Sequence, residues 1–312
     1  MQKIIIATRK SALALWQSEY IKDEIEKKHN IEVELLGMKT KGDIILDTPL
    51  AKIGGKGLFT KELQTSMLNG ESHIAVHSLK DVPVEFPKGL VLAAITKRED
   101  KRDAFVSQKY STLSALPKGA KVGTTSLRRR MQLLMLRDDL NIVSLRGNVN
   151  TRLKKLKEGE FDAIILAKAG IKRLGLEDEV RYVTPFSKLE MIPAMGQGAL
   201  GIEAVDDKEI ISLISFLNDK NTLIETTIER DFIESLNGGC QVPIGINAEV
   251  IGDKIEINAV VGMPDASKFI KEQRTISIDE CHKFGKKLAD EFIQNGAREL
   301  LDEALKMGSE LL

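Results

Sequence analysis

The sequence predicts an α/β protein with two similar lobes, followed by a smaller α+β module with a three-stranded antiparallel sheet. Three observations support this fold class. The chain has 312 residues, which is too long for one comfortable hydrophobic core. Short β-rich runs alternate with helical patterns over the first two-thirds, which is typical of α/β layers with largely parallel sheets. After about residue 219 one helix is followed by three strand candidates.

The first lobe is predicted from a set of apolar, β-branched runs bounded by polar residues. A helix with an amphipathic pattern follows the first strand and is capped by Ser11. Residues 42–59 carry four glycines and a proline without clean periodicity, so we interpret them as an active-site flap. The predicted elements are strands at 3–8, 31–37, 73–78 and 90–96 and a helix at 11–29.

A second set of elements and a C-terminal module complete the chain. The sequence pattern changes near residues 97–100 and 191–198, which predicts that the chain crosses between the two lobes through hinges there. The predicted second-lobe strands are 103–107, 121–125, 141–147 and 161–167, and its helices are 127–138 and 148–159. The module is predicted as a helix at 222–236, strands at 243–251, 254–262 and 269–278, and one long C-terminal helix. The predicted domains are 1–97 with 197–215, then 98–196, then 216–312.

Overall charge and composition exclude several classes of protein. The 46 basic and 46 acidic residues balance, which argues against a protein that coats nucleic acid. No apolar run approaches the roughly 18 residues that cross a bilayer, and the start of the chain lacks the features of a signal peptide. Two cysteines do not form a disulfide framework, so we expect a cytoplasmic protein with no membrane partner.

Arginine is distributed unevenly along the chain. Ten of the 14 arginines fall between Arg98 and Arg181, whereas the 32 lysines are spread throughout. The planar guanidinium group suits bidentate binding of carboxylate or phosphate. This distribution predicts an anionic ligand.

Four predicted strands end in basic or hydroxyl side chains, where ligands of open α/β sheets bind and helix N-termini attract anions. If Ser126 caps a helix, three arginines fill its first turn and oppose the helix dipole. Broken local rules tend to mark function, although a solvated basic helix start is the alternative. The four strand ends are Thr8–Ser11, Ser78–Asp81, Thr124–Arg130 and Arg146–Asn148, with Arg152 one turn beyond the last.

Two further features leave alternatives open. Asp81 follows Lys80 and is either a salt-bridge partner or the one acid that exchanges protons among these cations. Cys240 lies in LNGGCQVPIG, where two glycines remove neighbouring side chains, yet most isolated cysteines only pack. The four histidines show no metal-ligand spacing, and the glycines at 54–57 do not form a phosphate loop.

Nine stretches between residues 7 and 245 resemble the porphobilinogen deaminase (hydroxymethylbilane synthase) family, in the family's order. They are ATRKSALALWQ, GDIILDTPLAKIGGKGLFTKEL, IAVHSLKDVPVEFP, KREDKRDAFVS, VGTTSLRRR, LRGNVNTRL, FDAIILAKAGIKRLGL, IPAMGQGALGIE and GGCQVPIG.

The resemblance implies a fold of three domains, the first two similar to periplasmic binding-protein lobes. It also implies a transferase of haem and tetrapyrrole biosynthesis, with a dipyrromethane cofactor joined to Cys240 through a thioether. The enzyme would condense four porphobilinogen molecules head to tail, release four ammonia and hydrolyse off hydroxymethylbilane. It would be a monomer that passes its product to the next enzyme of the pathway.

The resemblance also assigns roles to residues by similarity. Asp81 is the catalytic acid. The cofactor is bound by Lys80, Asp81, Thr125, Ser126, Arg128, Arg129, Arg146 and Gly147, besides Cys240. The substrate porphobilinogen is bound by Arg9, Ser11, Lys56, Phe59, Arg152, Arg173 and Gln197. No metal is expected.

Two rival functions remain at this point. Two α/β lobes with an anion site also suit a solute-binding or effector-sensing domain. A phosphoryl-transfer enzyme would use the arginines but lacks a phosphate loop. Arg130 extends the usual arginine pair, and its role stays open, with a solvent-facing position as one alternative. Cys281 is expected to pack on the C-terminal helix.

Overall fold

The computed structural model describes residues 3–44, 58–238 and 242–311. These residues divide into two compact units. The first unit comprises residues 3–44, 58–99 and 199–223, and the second comprises residues 100–198, 224–238 and 242–311. The chain therefore passes between the units after residues 99, 198 and 223. The division into three domains stays a prediction.

The described residues form three sheets. Their strands are β1 (Lys3–Arg9), β2 (Glu32–Met38), β3 (Ile74–Ser78), β4 (Leu90–Ile95), β5 (Asp103–Ser107), β6 (Lys121–Gly123), β7 (Asn141–Val143), β8 (Ala163–Ala167), β9 (Tyr182–Pro185), β10 (Leu200–Val205), β11 (Ile244–Ile251), β12 (Lys254–Gly262) and β13 (Phe269–Ser277). The predicted strands are confirmed in type: β5 and β12 have the predicted ends, and the ends of the others move by at most four residues. Strands β9 and β10 are not among the predicted ones.

Ten α-helices connect or cover these sheets within the described ranges. They are α1 (Ala12–His29), α2 (Lys41–Ile44), α3 (Lys61–Leu68), α4 (Leu127–Leu136), α5 (Val149–Lys157), α6 (Lys168–Arg173), α7 (Lys208–Ile214), α8 (Lys220–Ser235), α9 (Phe284–Gln294) and α10 (Ala297–Leu311). None of them is long and apolar enough to cross a membrane.

The two larger sheets share one strand layout. The first unit orders its strands β2–β1–β3–β10–β4, and the second orders them β7–β6–β8–β5–β9. In each sheet two pairings are parallel, and the fourth strand, β10 or β5, is antiparallel to both neighbours. The prediction of two similar lobes is confirmed.

The expectation of largely parallel sheets is wrong for half of these pairings. Strands β5 and β10 begin within a few residues of the points where the chain enters their unit, at residues 100 and 199. No helical crossover from a neighbouring strand leads into them, so the rule that such connections make parallel pairs does not apply. The first residue of β5, Asp103, starts a strand that is buried at all five positions.

The C-terminal sheet is an antiparallel meander in the order β11–β12–β13, as predicted. It packs with α8, α9 and α10 around one apolar core that includes Phe232 and Phe292. The predicted single C-terminal helix is in fact two, because Asn295 ends α9 and Gly296 takes a φ of +88°. Cys281 packs against this core as expected, but it precedes α9 instead of lying on it.

Candidate functional site

In the first unit, Arg9 at the end of β1 is held by an acid and an aromatic ring. Its Nε donates to Asp43 Oδ2 at 3.2 Å, and its Nη2 forms an ion pair with Asp43 Oδ1. The guanidinium carbon lies 4.3 Å from the centre of the Phe59 ring, which is a cation–π arrangement. Ser11 caps α1 as predicted, since its hydroxyl accepts from the backbone N–H of Ala14 at 3.4 Å.

Asp43 is fixed from its other side by Thr40, whose backbone N–H and hydroxyl donate to Asp43 Oδ2 at 3.1 and 2.8 Å. Partial burial acts to raise the pKa of Asp43, but the hydrogen bonds from Arg9 and Thr40 outweigh it and hold this pKa below its ordinary value. The carboxylate is therefore charged, and it binds the guanidinium group of Arg9 in the way that a ligand carboxylate would.

Lys80 and Asp81 lie on a short 3-10 helix, Leu79–Asp81, directly after β3. Leu79 and Val82 are buried and anchor this turn on both sides, while Asp81 is exposed. The backbone N–H of Leu79 donates to the carbonyl of Ala199 at 3.0 Å, and this bond fixes the turn to the start of β10. The exposed carboxylate thus stands on a rigid support, which suits a catalytic acid.

A buried polar network lies behind this turn. His77 of β3 contacts Glu203 of β10 through Nε2 at 3.2 Å, and Gln64 of α3 donates to the same carboxylate at 2.8 Å. Glu203 has no exposed surface, so these two partners meet a carboxylate that water cannot reach. The network ties the strand before Asp81 to its neighbours.

In the second unit, Ser126 caps α4 as predicted, and its hydroxyl accepts from the backbone N–H of Arg129 at 3.4 Å. Arg128 and Arg129, in the first turn of α4, are buried with 5% and 6% exposure. They enclose Asp103. Its carboxylate accepts hydrogen bonds from Nη1 of Arg128 at 2.7 Å and from Nε and Nη2 of Arg129 at 3.0 and 2.7 Å. Burial lowers the pKa of Arg129, although Asp103 acts in the opposite direction.

Gln197 lies in the same interior cluster. Only 1% of it is exposed, and its amide donates to the carbonyl of Lys101 at 2.8 Å and to Asp103 at 3.1 Å. Its neighbour Gly196 donates its backbone N–H to the buried Glu229 at 2.7 Å. The structure thus places Gln197 behind the arginine pair, where it supports Asp103.

The remaining predicted residues of the second unit lie between β7 and α5, within α5, and at the end of α6. Gly147 has a φ of +109°, and a Cβ there would meet Thr151 at 2.8 Å, so this turn requires glycine. Arg152 donates through Nε to the Gly147 carbonyl at 2.8 Å, and Arg173 donates to the Gly198 carbonyl at 2.7 Å. The half-buried Arg146 lies between β7 and α5.

Arg130, whose role the sequence left open, does not face solvent. It is half-buried, donates to the Ile142 carbonyl at 2.9 Å, and burial lowers its pKa. Its Nε is buried and has no hydrogen-bond partner among the described residues. It borders a small surface pocket that is lined by Thr124, Thr125, Ser126, Leu127, Arg130, Ser144 and Leu311.

The predicted site residues thus fall into two groups, one in each unit. The first unit holds Arg9, Ser11, Phe59, Lys80 and Asp81, and the second holds Thr125, Ser126, Arg128, Arg129, Arg146, Gly147, Arg152, Arg173 and Gln197. Lys56 and Cys240 lie outside the described residues. The part of the chain that is described contains no group of three or more acidic, histidine or cysteine side chains that could hold a metal ion.

Sequence reasoning missed the two acids that hold these arginines, Asp43 and Asp103. Asp103 stands at the head of an apolar strand, where an acid is out of place, and that was the available signal. Its partners lie 25, 26 and 94 residues away along the chain, so periodicity could not identify them.

The donors fit a dipyrromethane, whose acetate and propionate arms are carboxylates. Guanidinium groups and hydroxyls at a helix N-terminus are the groups that bind carboxylates in proteins. In the second unit these are the hydroxyls of Thr125 and Ser126 at the start of α4 and the guanidinium group of Arg128 in its first turn.

Comparisons with known proteins point to one family. The chain matches the model of the porphobilinogen deaminase, dipyromethane cofactor binding domain over residues 4–212, and that of the porphobilinogen deaminase C-terminal domain over residues 223–294. A porphobilinogen deaminase of Campylobacter hominis is 67% identical over 98% of this chain and 100% of its own length. One of Campylobacter lari is 67% identical over 98% of this chain and 99% of its own.

Among solved structures, the methionine-binding protein MetQ covers 73% of this chain and 95% of its own, at 14% identity and a TM-score of 0.46. The periplasmic VFT2 domain of Bordetella pertussis BvgS covers 69% of this chain and 86% of its own, at 12% identity and a TM-score of 0.43. Because a family model spans about two-thirds of the sequence and curated relatives match nearly all of it, the chain belongs to the porphobilinogen deaminase family.

Proposed function

We propose that this enzyme condenses four porphobilinogen molecules into hydroxymethylbilane on a dipyrromethane that Cys240 holds through a thioether. The observation that carries the proposal is the position of the predicted ligand-binding residues along the chain, relative to the range that matches the family model. Every residue predicted to bind cofactor or substrate without a covalent bond lies within residues 4–212, the range that matches the dipyrromethane-binding domain. A solute receptor would need neither this cofactor nor an acid such as Asp81.

Asp81 performs the proton chemistry in this proposal. As the acid, it protonates the departing amine of porphobilinogen while the C–N bond breaks, and ammonia leaves. As the carboxylate, it would then stabilise the positive charge on the pyrrole nitrogen and take up the α-proton once the new C–C bond has formed, which returns Asp81 to its acid form. Its exposure and its anchored turn support this role.

The basic residues bind the carboxylate arms. In the second unit Arg128 and Arg146 hold the cofactor with Ser126 and Thr125, because charge-assisted hydrogen bonds to carboxylates are about twice as strong as neutral ones. Arg129 supports them through its hydrogen bonds to Asp103. When bound, the dipyrromethane supplies the pyrrole carbon to which the first substrate is joined. Lys80 adds a further cation in the first unit.

The substrate arms are assigned to Arg9, Arg152 and Arg173, with Ser11, Lys56 and Phe59 completing the set. Gln197 is left out because its buried amide donates to Asp103. The Arg9–Asp43 pair supports this role, because a partly exposed pair opens at small cost. Water then releases the product. We further propose a cytoplasmic monomer that binds no nucleic acid and passes its product to the next enzyme of the pathway.

Asp81→Asn tests the proposal. We expect the variant to keep its fold and its mass adduct, but to lose about 10²–10⁴-fold in ammonia release, which is the usual contribution of a general acid. Glu85→Gln is the matched control, since Glu85 is an exposed acid four residues further along the same loop. Turnover of Asp81→Asn near that of Glu85→Gln would remove Asp81 from this role.

A further inference from the structure

Asp103 is a buried carboxylate whose two oxygens are both engaged. Oδ2 accepts from Arg128, and Oδ1 accepts two N–H groups of Arg129 and one of Gln197. None of its surface is exposed. A carboxylate in such a place has a fixed orientation, because each of its partners is itself held elsewhere.

Backbone carbonyls fix the planes of the two guanidinium groups. Nη1 of Arg128 donates to the carbonyl of Ile192 at 2.7 Å as well as to Asp103. Nη1 of Arg129 donates to the carbonyl of Ile165 at 2.9 Å. The carbonyl of Ile192 also accepts from Gln132 at 3.1 Å, so the segment that receives Arg128 is tied back to α4. The arginine planes are therefore set before any ligand arrives.

One edge of Arg128 stays open. Within the described residues its Nη1 donates to Asp103 and Ile192, whereas Nε and Nη2 donate to no protein atom. Nε and Nη2 of one guanidinium form a parallel pair of donors that matches the two oxygens of a carboxylate. The cluster holds two cations and one anion, so its net charge is +1, which matches one further carboxylate.

We propose that Asp103 is a positioning residue that fixes Arg128 so that its Nε–Nη2 edge accepts one carboxylate arm of the cofactor. This inference rests on the proposed function. Gln197 assists by donating to Asp103 from inside the protein. Arg129 also donates to Asp103, and it acts on the ligand indirectly, by fixing the orientation of the Asp103 carboxylate.

A second arginine–aspartate pair provides a matched comparison on the same segment. Asp100 receives Arg102 through hydrogen bonds of 2.9, 3.2 and 2.7 Å, but the Arg102 side chain is 42% exposed. Arg102 is not among the residues assigned to either ligand. The two pairs share their chemistry and differ in burial, and only Arg128 is assigned to the cofactor.

The test compares Asp103→Asn and Asp100→Asn with the native enzyme, with kcat divided by the fraction that carries the adduct in intact mass. We expect Asp103→Asn to lose about 100-fold in this kcat with little change in KM, since small misplacements cost that much. Asp100→Asn should stay within about twofold, as expected of a surface pair. A corrected kcat of Asp103→Asn equal to that of Asp100→Asn overturns the proposal.

If Asp103→Asn does not fold, we use the double variant Asp103→Asn/Arg129→Gln, because it keeps the net charge at +1 and leaves one buried cation without a counter-charge, Arg128, where Asp103→Asn leaves two. We expect it to fold and still have a low corrected kcat, whereas native turnover would show that Asp103 only balances charge. Absence of adduct and turnover in the native enzyme would instead refute the proposed function.

Discussion

The two units hold their arginines with carboxylates in different surroundings. In the first unit Arg9 and Asp43 have side chains that are 24% and 23% exposed. In the second, Arg128 and Arg129 are 5% and 8% exposed by side chain, and Asp103 not at all. A pair that water reaches exchanges partners at a cost of about 1 kcal/mol or less, whereas breaking a buried pair costs about 3–5 kcal/mol.

This difference suggests a division of work between the arginines. Arg9 can release Asp43 and take a carboxylate of a substrate that comes and goes with every cycle. Arg128 and Arg129 cannot release Asp103, so they can only add a ligand to donors that Asp103 leaves open. A permanent partner suits a cofactor that stays bound through many turnovers, and an exchangeable one suits a substrate.

The largest expected effect is on stability in the second unit. We expect Asp103→Asn to lower the free energy of unfolding by about 3–5 kcal/mol, because it leaves two buried guanidinium groups without a counter-charge. Asp100→Asn should cost about 1 kcal/mol or less. Urea unfolding of both variants measures this, and equal losses would erase the contrast between buried and exposed pairs.

A smaller effect is expected in the first unit. Asp43→Asn removes the charge that competes for Arg9, so we expect the KM for porphobilinogen to fall by up to about fivefold, corresponding to about 1 kcal/mol. Thr40 can still donate to the oxygen of the new amide, which keeps the local structure. Steady-state kinetics check this, and a rise in KM would mean that Asp43 positions Arg9 and does not compete for it.

The sequence predicted local features better than distant pairings. Ser11 and Ser126 were both identified as helix caps, because a cap depends on residues two or three positions away. The strands around Phe105 and Ile257 were found from runs of β-branched and aromatic residues. The antiparallel pairing of β5 and β10 with their neighbours was not predicted, because the direction of these strands depends on where the chain crosses between the units.

Polar partners in the interior were the hardest to predict. Gln197 was expected to touch substrate, but the structure places its amide against Asp103, a pairing 94 residues apart. The break between α9 and α10 could have been found, since Asn295 and Gly296 form a turn signal inside a helical pattern. Residues that act through tertiary contacts leave no periodic trace, whereas breaks of local rules do.

The most direct test of the account is the intact mass of the purified enzyme beside two cysteine variants. We predict that the native chain and Cys281→Ser are heavier than their sequences by a two-pyrrole adduct, and that Cys240→Ser is not. Cys281 is the matched control because it is a free thiol that packs against the C-terminal core. A fully active native enzyme whose mass equals that of its sequence would contradict the account.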